Sequence, residues 1–205
     1  MMTTDTRLDR WLQFTIADSS FSFPVYKKSP SDVANPPAII VMHEVPGIYP
    51  AVIDFAERLV QEGYCVYMPS LLGQPGKEYS LPYVGRSIAR ACISREFQVL
   101  ALRQASPITD ALRALCRYAH KECGGVGVGA IGMCLTGNFA LSMMLEPSVH
   151  APVLAQPSLP LDDPAGIHDS DVVTGFGHHA EVVRDQENGG AQPLTEIGEQ
   201  VENLC

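Results

Sequence analysis

Short apolar runs alternate with amphipathic helical segments along most of this chain, and this alternation limits the fold more than any other feature of the sequence. The run Ala38–Met42 is continuously apolar, as expected of a strand that is buried on both faces of a parallel sheet. Pro50 favours the start of a helix and Gly63 favours its end. A second apolar run follows at residues 64–68. This order of segments predicts an α/β fold with a doubly wound, mostly parallel sheet.

The remaining segments extend the pattern as far as Pro160. Residues 11–28 alternate apolar and polar side chains on both sides of a polar break at 18–20, which predicts a hairpin at the sheet edge. Further periodic segments predict helices over 83–104 and 107–123, strands over 126–131 and 153–155, and a helix between those two strands. After Pro160 only Val172-Val173 and Val182-Val183 have the character of strands.

Charge separates residues 161–205 from the rest of the chain. Residues 1–160 carry 13 acidic and 13 basic side chains, whereas 161–205 carry 10 acidic side chains and a single basic one, Arg184. The resulting net charge of −9 argues against nucleic acid or an anionic membrane surface as a partner. The break predicts one folded domain over 1–160, followed over 161–205 by an acidic, Gly-containing tail that is poorly ordered.

The N-terminus and the cysteines indicate a cytoplasmic protein. The first 17 residues mix charged and apolar side chains and contain no apolar core of a signal peptide. No apolar run approaches the length that spans a bilayer. Six cysteines in 205 residues are too sparse for a disulfide scaffold, so they are interpreted as reduced thiols.

The segment Gly132–Gly137 carries the strongest chemical signal. It follows a predicted buried strand and opens a predicted helix, which is the context of a nucleophile elbow centred on Cys134. The glycines suit a turn in which two backbones come close together. At the start of a helix, free backbone N–H groups favour the thiolate, and the N–H of Leu135 would form half of an oxyanion hole. The alternative is a small buried cysteine in an ordinary strand-to-helix turn.

A second segment, His43–Gly47, follows the first parallel strand and should lie at the same sheet edge as Cys134. Glu44 could accept a hydrogen bond from the thiol, and the N–H of Val45 could supply the other oxyanion donor. The alternative for Glu44 is an ordinary solvated carboxylate. A zinc motif would need a second histidine where Gly47 stands, so the sequence predicts neither a metal site nor a cofactor.

These segments resemble the dienelactone hydrolase family, a branch of the α/β-hydrolases with a cysteine nucleophile, over about residues 14–160. The likeness rests on 43–47, Glu62-Gly63-Tyr64, 132–137 and 155–160. It implies an enzyme that cleaves an ester or lactone of a small molecule through an acyl-thioenzyme. It also implies that Cys134 is the nucleophile, that Glu44 holds the thiol, and that the backbone amides of Val45 and Leu135 form the oxyanion hole. Thr136 stands where the family usually has glycine.

The resemblance also implies a late aspartate and histidine, and here the chain departs from the family. His178 is a candidate for the histidine, but no strand pattern surrounds it. The C-terminal strands and helices therefore look missing or replaced, as a truncation or an altered reading frame would produce. This leaves two hypotheses: an active hydrolase, or a catalytically incomplete relative that only binds a ligand or a partner. A sheet without its last strands would expose an apolar edge, which predicts self-association.

Overall fold

A single mixed sheet of seven strands organises the chain in the computed structural model, which describes residues 4–18, 21–93, 107–156 and 181–183. The spatial order of the strands is β1-β2-β4-β3-β5-β6-β7. Pairs β1–β2 and β2–β4 are antiparallel, and every pair from β4 to β7 is parallel. The strands are β1 Leu12–Asp18, β2 Phe21–Lys28, β3 Ala38–Met42, β4 Cys65–Pro69, β5 Val128–Met133, β6 Val149–Ala155 and β7 Glu181–Val183.

Helices cover both faces of this sheet. They are α1 Pro50–Gln61, α2 Leu81–Ile93, α3 Pro107–Cys123 and α4 Gly137–Met143. Ile40 packs on one face with α3 and α4, whereas its neighbour Val41 packs on the other face with α1. Because successive side chains of β3 point to opposite faces, a strand covered on both faces must be apolar throughout. The predicted α/β fold with a doubly wound, mostly parallel sheet is confirmed.

Most predicted elements are present, with shifts at their ends. The hairpin pairs Leu12 with Lys27, and α1 begins at Pro50 as expected. The strand predicted at 126–131 lies at 128–133 instead, because Gly124, Gly125 and Gly127 hold the chain in a left-handed path. The helix predicted over 83–104 begins at Leu81 and is described as far as Ile93.

The next strand begins earlier than predicted. Strand β6 starts at Val149 rather than at 153, since the chain turns tightly after α4. In that turn the carboxylate of Glu146 accepts a hydrogen bond from the hydroxyl of Ser148 (3.1 Å). The turn therefore returns the chain to the sheet within a few residues.

Strand β7 extends the sheet inside the segment that was predicted to be a tail. It contains Val182-Val183, one of the two weak strand signals, and pairs in parallel with β6. Val172-Val173 and most of 161–205 lie outside the described residues. The domain boundary at residue 160 therefore stays a prediction. Within the described ranges, no helix is both long and apolar enough to cross a bilayer.

Candidate active site

The turn that carries Cys134 has the geometry of an elbow. Strand β5 ends at Met133, residues Cys134–Thr136 form one turn of 3-10 helix, and α4 begins at Gly137. Cys134 has φ 53°, a left-handed conformation that side-chain-bearing residues rarely adopt and that costs about 1–3 kcal/mol. The residue is half-buried. The fold therefore holds a strained cysteine at the carboxyl edge of the sheet, where sequence analysis predicted a nucleophile.

Gly132 makes the elbow sterically feasible. A Cβ atom at this position would lie 2.5 Å from the carbonyl oxygen of Thr136 and 2.9 Å from the Cβ of Ala140. Real Cβ atoms do not approach backbone so closely, and neither neighbour can rotate away. Strand and helix can approach each other at this turn only because residue 132 has no side chain.

Thr136 connects the elbow to the neighbouring strand. Its buried hydroxyl accepts a hydrogen bond from the N–H of Met133 (3.0 Å). The single hydroxyl proton can be donated to the carbonyl oxygen of Met42 (3.1 Å) or to that of Met133 (2.9 Å). Met42 is the last residue of β3, which pairs with β5. Thr136 thus joins the ends of the two strands that Cys134 and Glu44 follow.

His43 is buried and fully engaged in hydrogen bonds. Its Nδ1–H donates to the carbonyl oxygen of Glu44 (2.9 Å), and Nε2 accepts from the N–H groups of Leu71 (3.0 Å) and Leu72 (3.3 Å). Burial lowers the pKa of this imidazole to about 4, so it is neutral near pH 7. The contacts of Nε2 join the segment after β3 to the loop after β4, and the contact of Nδ1 lies within the segment after β3. Both ring nitrogens are therefore engaged.

Two glycines bring the same two loops into direct backbone contact. A Cβ on Gly47 (φ 139°) would lie 2.6 Å from the carbonyl oxygen of Leu72. A Cβ on Gly73 (φ 71°) would lie 1.9 Å from the carbonyl oxygen of Pro46. Only residues without side chains allow this approach. The segment that carries Glu44 and Val45 therefore packs directly against the loop after β4.

Glu44 has a partner that sequence analysis missed. The phenol of Tyr49 donates a hydrogen bond to Glu44 Oε1. Burial, and then the hydrogen bond to Glu44, raise the pKa of Tyr49 above its ordinary value, with smaller electrostatic contributions from Tyr79 and Cys134. Tyr49, Glu44 and Cys134 therefore share one electrostatic environment. The only available signal was the position of Tyr49, directly before the helix start at Pro50 and hence at the carboxyl edge of the sheet.

The four residues that sequence analysis placed in the site lie at one edge. Glu44 and Val45 follow β3, and Cys134 and Leu135 follow β5, its direct neighbour. All four are half-buried. A thiol, a carboxylate held by a phenol and two chain segments with backbone N–H groups therefore follow two neighbouring strands at the same edge of the sheet.

The described residues do not supply the predicted histidine of a triad. Of the three histidines they include, His43 is engaged as above, His120 lies near the end of α3, and His150 lies near the start of β6. The last two positions are at the opposite edge of the sheet from Cys134. His178, the candidate from the sequence, lies outside the described residues.

Comparison with known proteins bears on the family and the fold of this chain. The sequence model of the dienelactone hydrolase family matches residues 23–188, a range that extends past Pro160. A structure assigned as a dienelactone hydrolase of Klebsiella pneumoniae subsp. pneumoniae is 21% identical, with a TM-score of 0.57 over 94% of this chain and 80% of that one. A dienelactone hydrolase-like promiscuous phosphotriesterase from metagenomic libraries is 17% identical, with a TM-score of 0.50 over 80% of this chain and 63% of that one.

This chain therefore spans less than two thirds of the length of the second structure. No curated protein matches it. At these identities the solved structures establish the α/β-hydrolase fold. The family match covers most of the sequence and supports a hydrolase of esterase type. The chain belongs to the dienelactone hydrolase family.

Proposed function

We propose that this protein hydrolyses an ester or lactone of a small molecule through an acyl-thioenzyme on Cys134. The observation that supports this most is the left-handed elbow at Cys134, at the sheet edge where Glu44 is held by Tyr49. A strained backbone that places a thiol at such an edge has no packing benefit of its own, and strain of this kind concentrates at functional sites.

In the proposed acylation step, the sulfur of Cys134 attacks the ester carbonyl carbon. A C–S bond forms while the carbonyl electron pair moves onto oxygen, where the N–H groups of Val45 and Leu135 would stabilise the negative charge. Glu44 accepts a hydrogen bond from the thiol and so orients it. When the tetrahedral intermediate collapses, the C–O bond to the leaving group breaks, and the departing alkoxide takes up the proton that the thiol gave up through Glu44.

Deacylation requires a base that activates water against the thioester. The resemblance assigns this role to a histidine supported by an aspartate, and of the described histidines only His43 lies at the Cys134 edge. His43 is unsuited to the role, because both ring nitrogens are engaged and burial depresses its pKa. Acylation and turnover must therefore be measured separately.

An activated aryl ester separates the two steps. The wild type should release a burst of phenol equal to the enzyme concentration and gain the mass of one acyl group, and Cys134→Ala should do neither. Cys116→Ala is the matched control, since Cys116 is a fully buried thiol in α3 and its removal should leave the burst intact. Equal bursts from the wild type and Cys134→Ala would refute the nucleophile assignment.

The same measurement tests the alternative of a catalytically incomplete relative. If the wild type acylates and its acyl-enzyme is then hydrolysed only as fast as a free thioester in solution, the thiol is active but the base is absent. That result would support a protein that binds and captures esters without turnover. Steady-state turnover well above this rate would support the complete enzyme.

A further inference from the structure

The N-terminal segment, residues 4–10, lies against the loops that carry the candidate active site. The N–H of Asp5 donates a hydrogen bond to the carbonyl oxygen of Gly76 (2.7 Å) in the loop after β4. The N–H of Gly76 donates in turn to the carbonyl oxygen of Ile48 (2.7 Å). Three chain segments are therefore joined through their backbones, and the last of them ends directly before Tyr49.

The backbone at Gly76 is fitted to this contact. Its φ of 76° is left-handed, and a Cβ atom at this position would lie 2.9 Å from the carbonyl oxygen of Asp5. Beside this pair, Thr4 and Lys77 form an antiparallel bridge. A residue with a side chain at position 76 would push the N-terminal segment away from the loop.

Arg7 holds the other side of Tyr49. Its guanidinium donates to both carboxylate oxygens of Asp5 (2.6–3.0 Å) and also to the carboxylate of Asp54 in α1. Its Nη2 also donates to the carbonyl oxygen of Pro50 (3.4 Å), which is the first residue of α1. One side chain thus joins the N-terminal segment to the start of the helix that follows Tyr49.

These contacts converge on Tyr49, whose phenol donates to Glu44. The carbonyl of Ile48 before it is held through the loop after β4, and that of Pro50 after it is held by Arg7. Because the backbone is held on both sides of Tyr49, the direction in which its phenol points depends on the N-terminal segment.

The hold on Tyr49 is separable from the stability of the fold. The side chain of Arg7 is 37% exposed, and exposed ion pairs contribute little to the free energy of unfolding. The segment is anchored instead by Leu8, which is buried with Ile48 and Val52 in the core cluster under α1. Removal of the guanidinium should therefore release Tyr49 while the chain stays folded.

We propose that Arg7 is a positioning residue for the reaction at Cys134, because it holds Tyr49 in the orientation in which the phenol binds Glu44. Its effect on the reaction rests on the proposed function, whereas its effect on Tyr49 can be measured without catalysis. The N-terminal segment is then a working part of the active site, although it is remote from Cys134 in the sequence.

The first test uses the full chain with 3-fluorotyrosine in place of tyrosine and needs no substrate. The fluorine NMR resonance of residue 49 is identified by its loss in Tyr49→Phe, and Glu44→Ala gives its position without the hydrogen bond. Arg7→Met should shift the resonance toward that position. Arg58→Met, which removes a cation from the last turn of the same helix, should leave it unchanged. An unchanged resonance in Arg7→Met would overturn the proposal.

A double-mutant cycle tests whether Arg7 acts through Tyr49. In burst kinetics, Arg7→Met should slow acylation about three- to tenfold in the wild type and not further in Tyr49→Phe. An equal fall in both backgrounds would show a role independent of Tyr49 and would also overturn the proposal. Urea unfolding of Arg7→Met should show a folded protein.

Gly76→Ala loosens the N-terminal segment at its other contact and should give the same shift of the resonance and the same slower acylation. A resonance at its wild-type position in this variant would contradict the role of the segment. A wild type without a burst would refute the proposed function alone, since the resonance of residue 49 still decides whether Arg7 positions Tyr49.

Discussion

The hydroxyl of Thr136 lies 3.1 Å from the carbonyl oxygen of Met42, and this contact joins the elbow of Cys134 to the strand that precedes Glu44. The two residues are far apart in sequence, but Met42 ends β3 and Thr136 lies in the turn after β5, which pairs with β3. The hydroxyl therefore helps to fix the spacing between the thiol and the groups after β3.

Replacing Thr136 with valine keeps the shape of the side chain and removes this connection. We expect the free energy of unfolding to fall by about 1–3 kcal/mol, because the partly buried N–H of Met133 loses its acceptor. The acylation rate should fall about tenfold through misplacement of the thiol. Urea unfolding and burst kinetics measure the two effects. Thr136→Ser should preserve both, and a valine variant that acylates at the wild-type rate would show that the contact is structural only.

Tyr49→Phe removes the phenol that holds Glu44 and keeps the ring. We expect acylation to slow about tenfold, since a hydrogen bond to a carboxylate contributes about 1.5–3 kcal/mol. Tyr79→Phe is the matched control. Its ring lies 5.9 Å from that of Tyr49, and loss of its hydroxyl should leave the rate unchanged. Equal rates for both variants, measured by burst kinetics, would contradict the positioning role of Tyr49.

Gly132→Ala tests the steric requirement of the elbow. The added methyl group would collide with the backbone of Thr136. We therefore expect the free energy of unfolding to fall by about 1–3 kcal/mol and the burst of acylation to disappear. Gly85→Ala is the control within α2, where a Cβ would meet nothing within 4 Å. Alanine should stabilise that helix by up to about 1 kcal/mol. Thermal unfolding compares the stability of the two variants. Similar losses of stability in both would refute the steric requirement at Gly132.

His43 should make stability depend on pH. Its pKa is about 4 in the folded chain against 6.5 in water, so the unfolded chain takes up the proton first as the pH falls. Above pH 6.5, the contribution of neutral His43 to the free energy of unfolding is complete. As the pH falls from 6.5 to 4, about 3 kcal/mol of that free energy is lost.

Urea unfolding between about pH 7 and pH 4.5 measures this loss. His43→Gln keeps one donor and one acceptor but does not titrate, so its stability should change less over the same range. A variant with the same pH dependence as the wild type would assign the effect to other groups.

Local sequence patterns predicted those features that depend on neighbouring residues. The continuous apolar character of Ala38–Met42 predicts a strand buried on both faces, and Gly132 before Cys134 predicts the elbow. Both follow from backbone geometry within a few residues. The position of Glu44 at the edge follows in turn, because residues after parallel strands meet at the same edge.

Contacts between distant segments could not be predicted in the same way. The bond between Thr136 and Met42 requires that β3 and β5 be neighbours, which no periodicity reveals. The contact of Tyr49 with Glu44 depends on the path of an irregular loop.

The central position of β3 has a consequence for biosynthesis. One side of this strand pairs with β4, but the other must wait for β5, which begins at Val128. At ribosomal rates the residues between Met42 and Val128 take roughly 4 to 17 s to translate. Throughout that interval the nascent chain carries an apolar strand with one open side, and this is the period in which a chaperone would benefit it most.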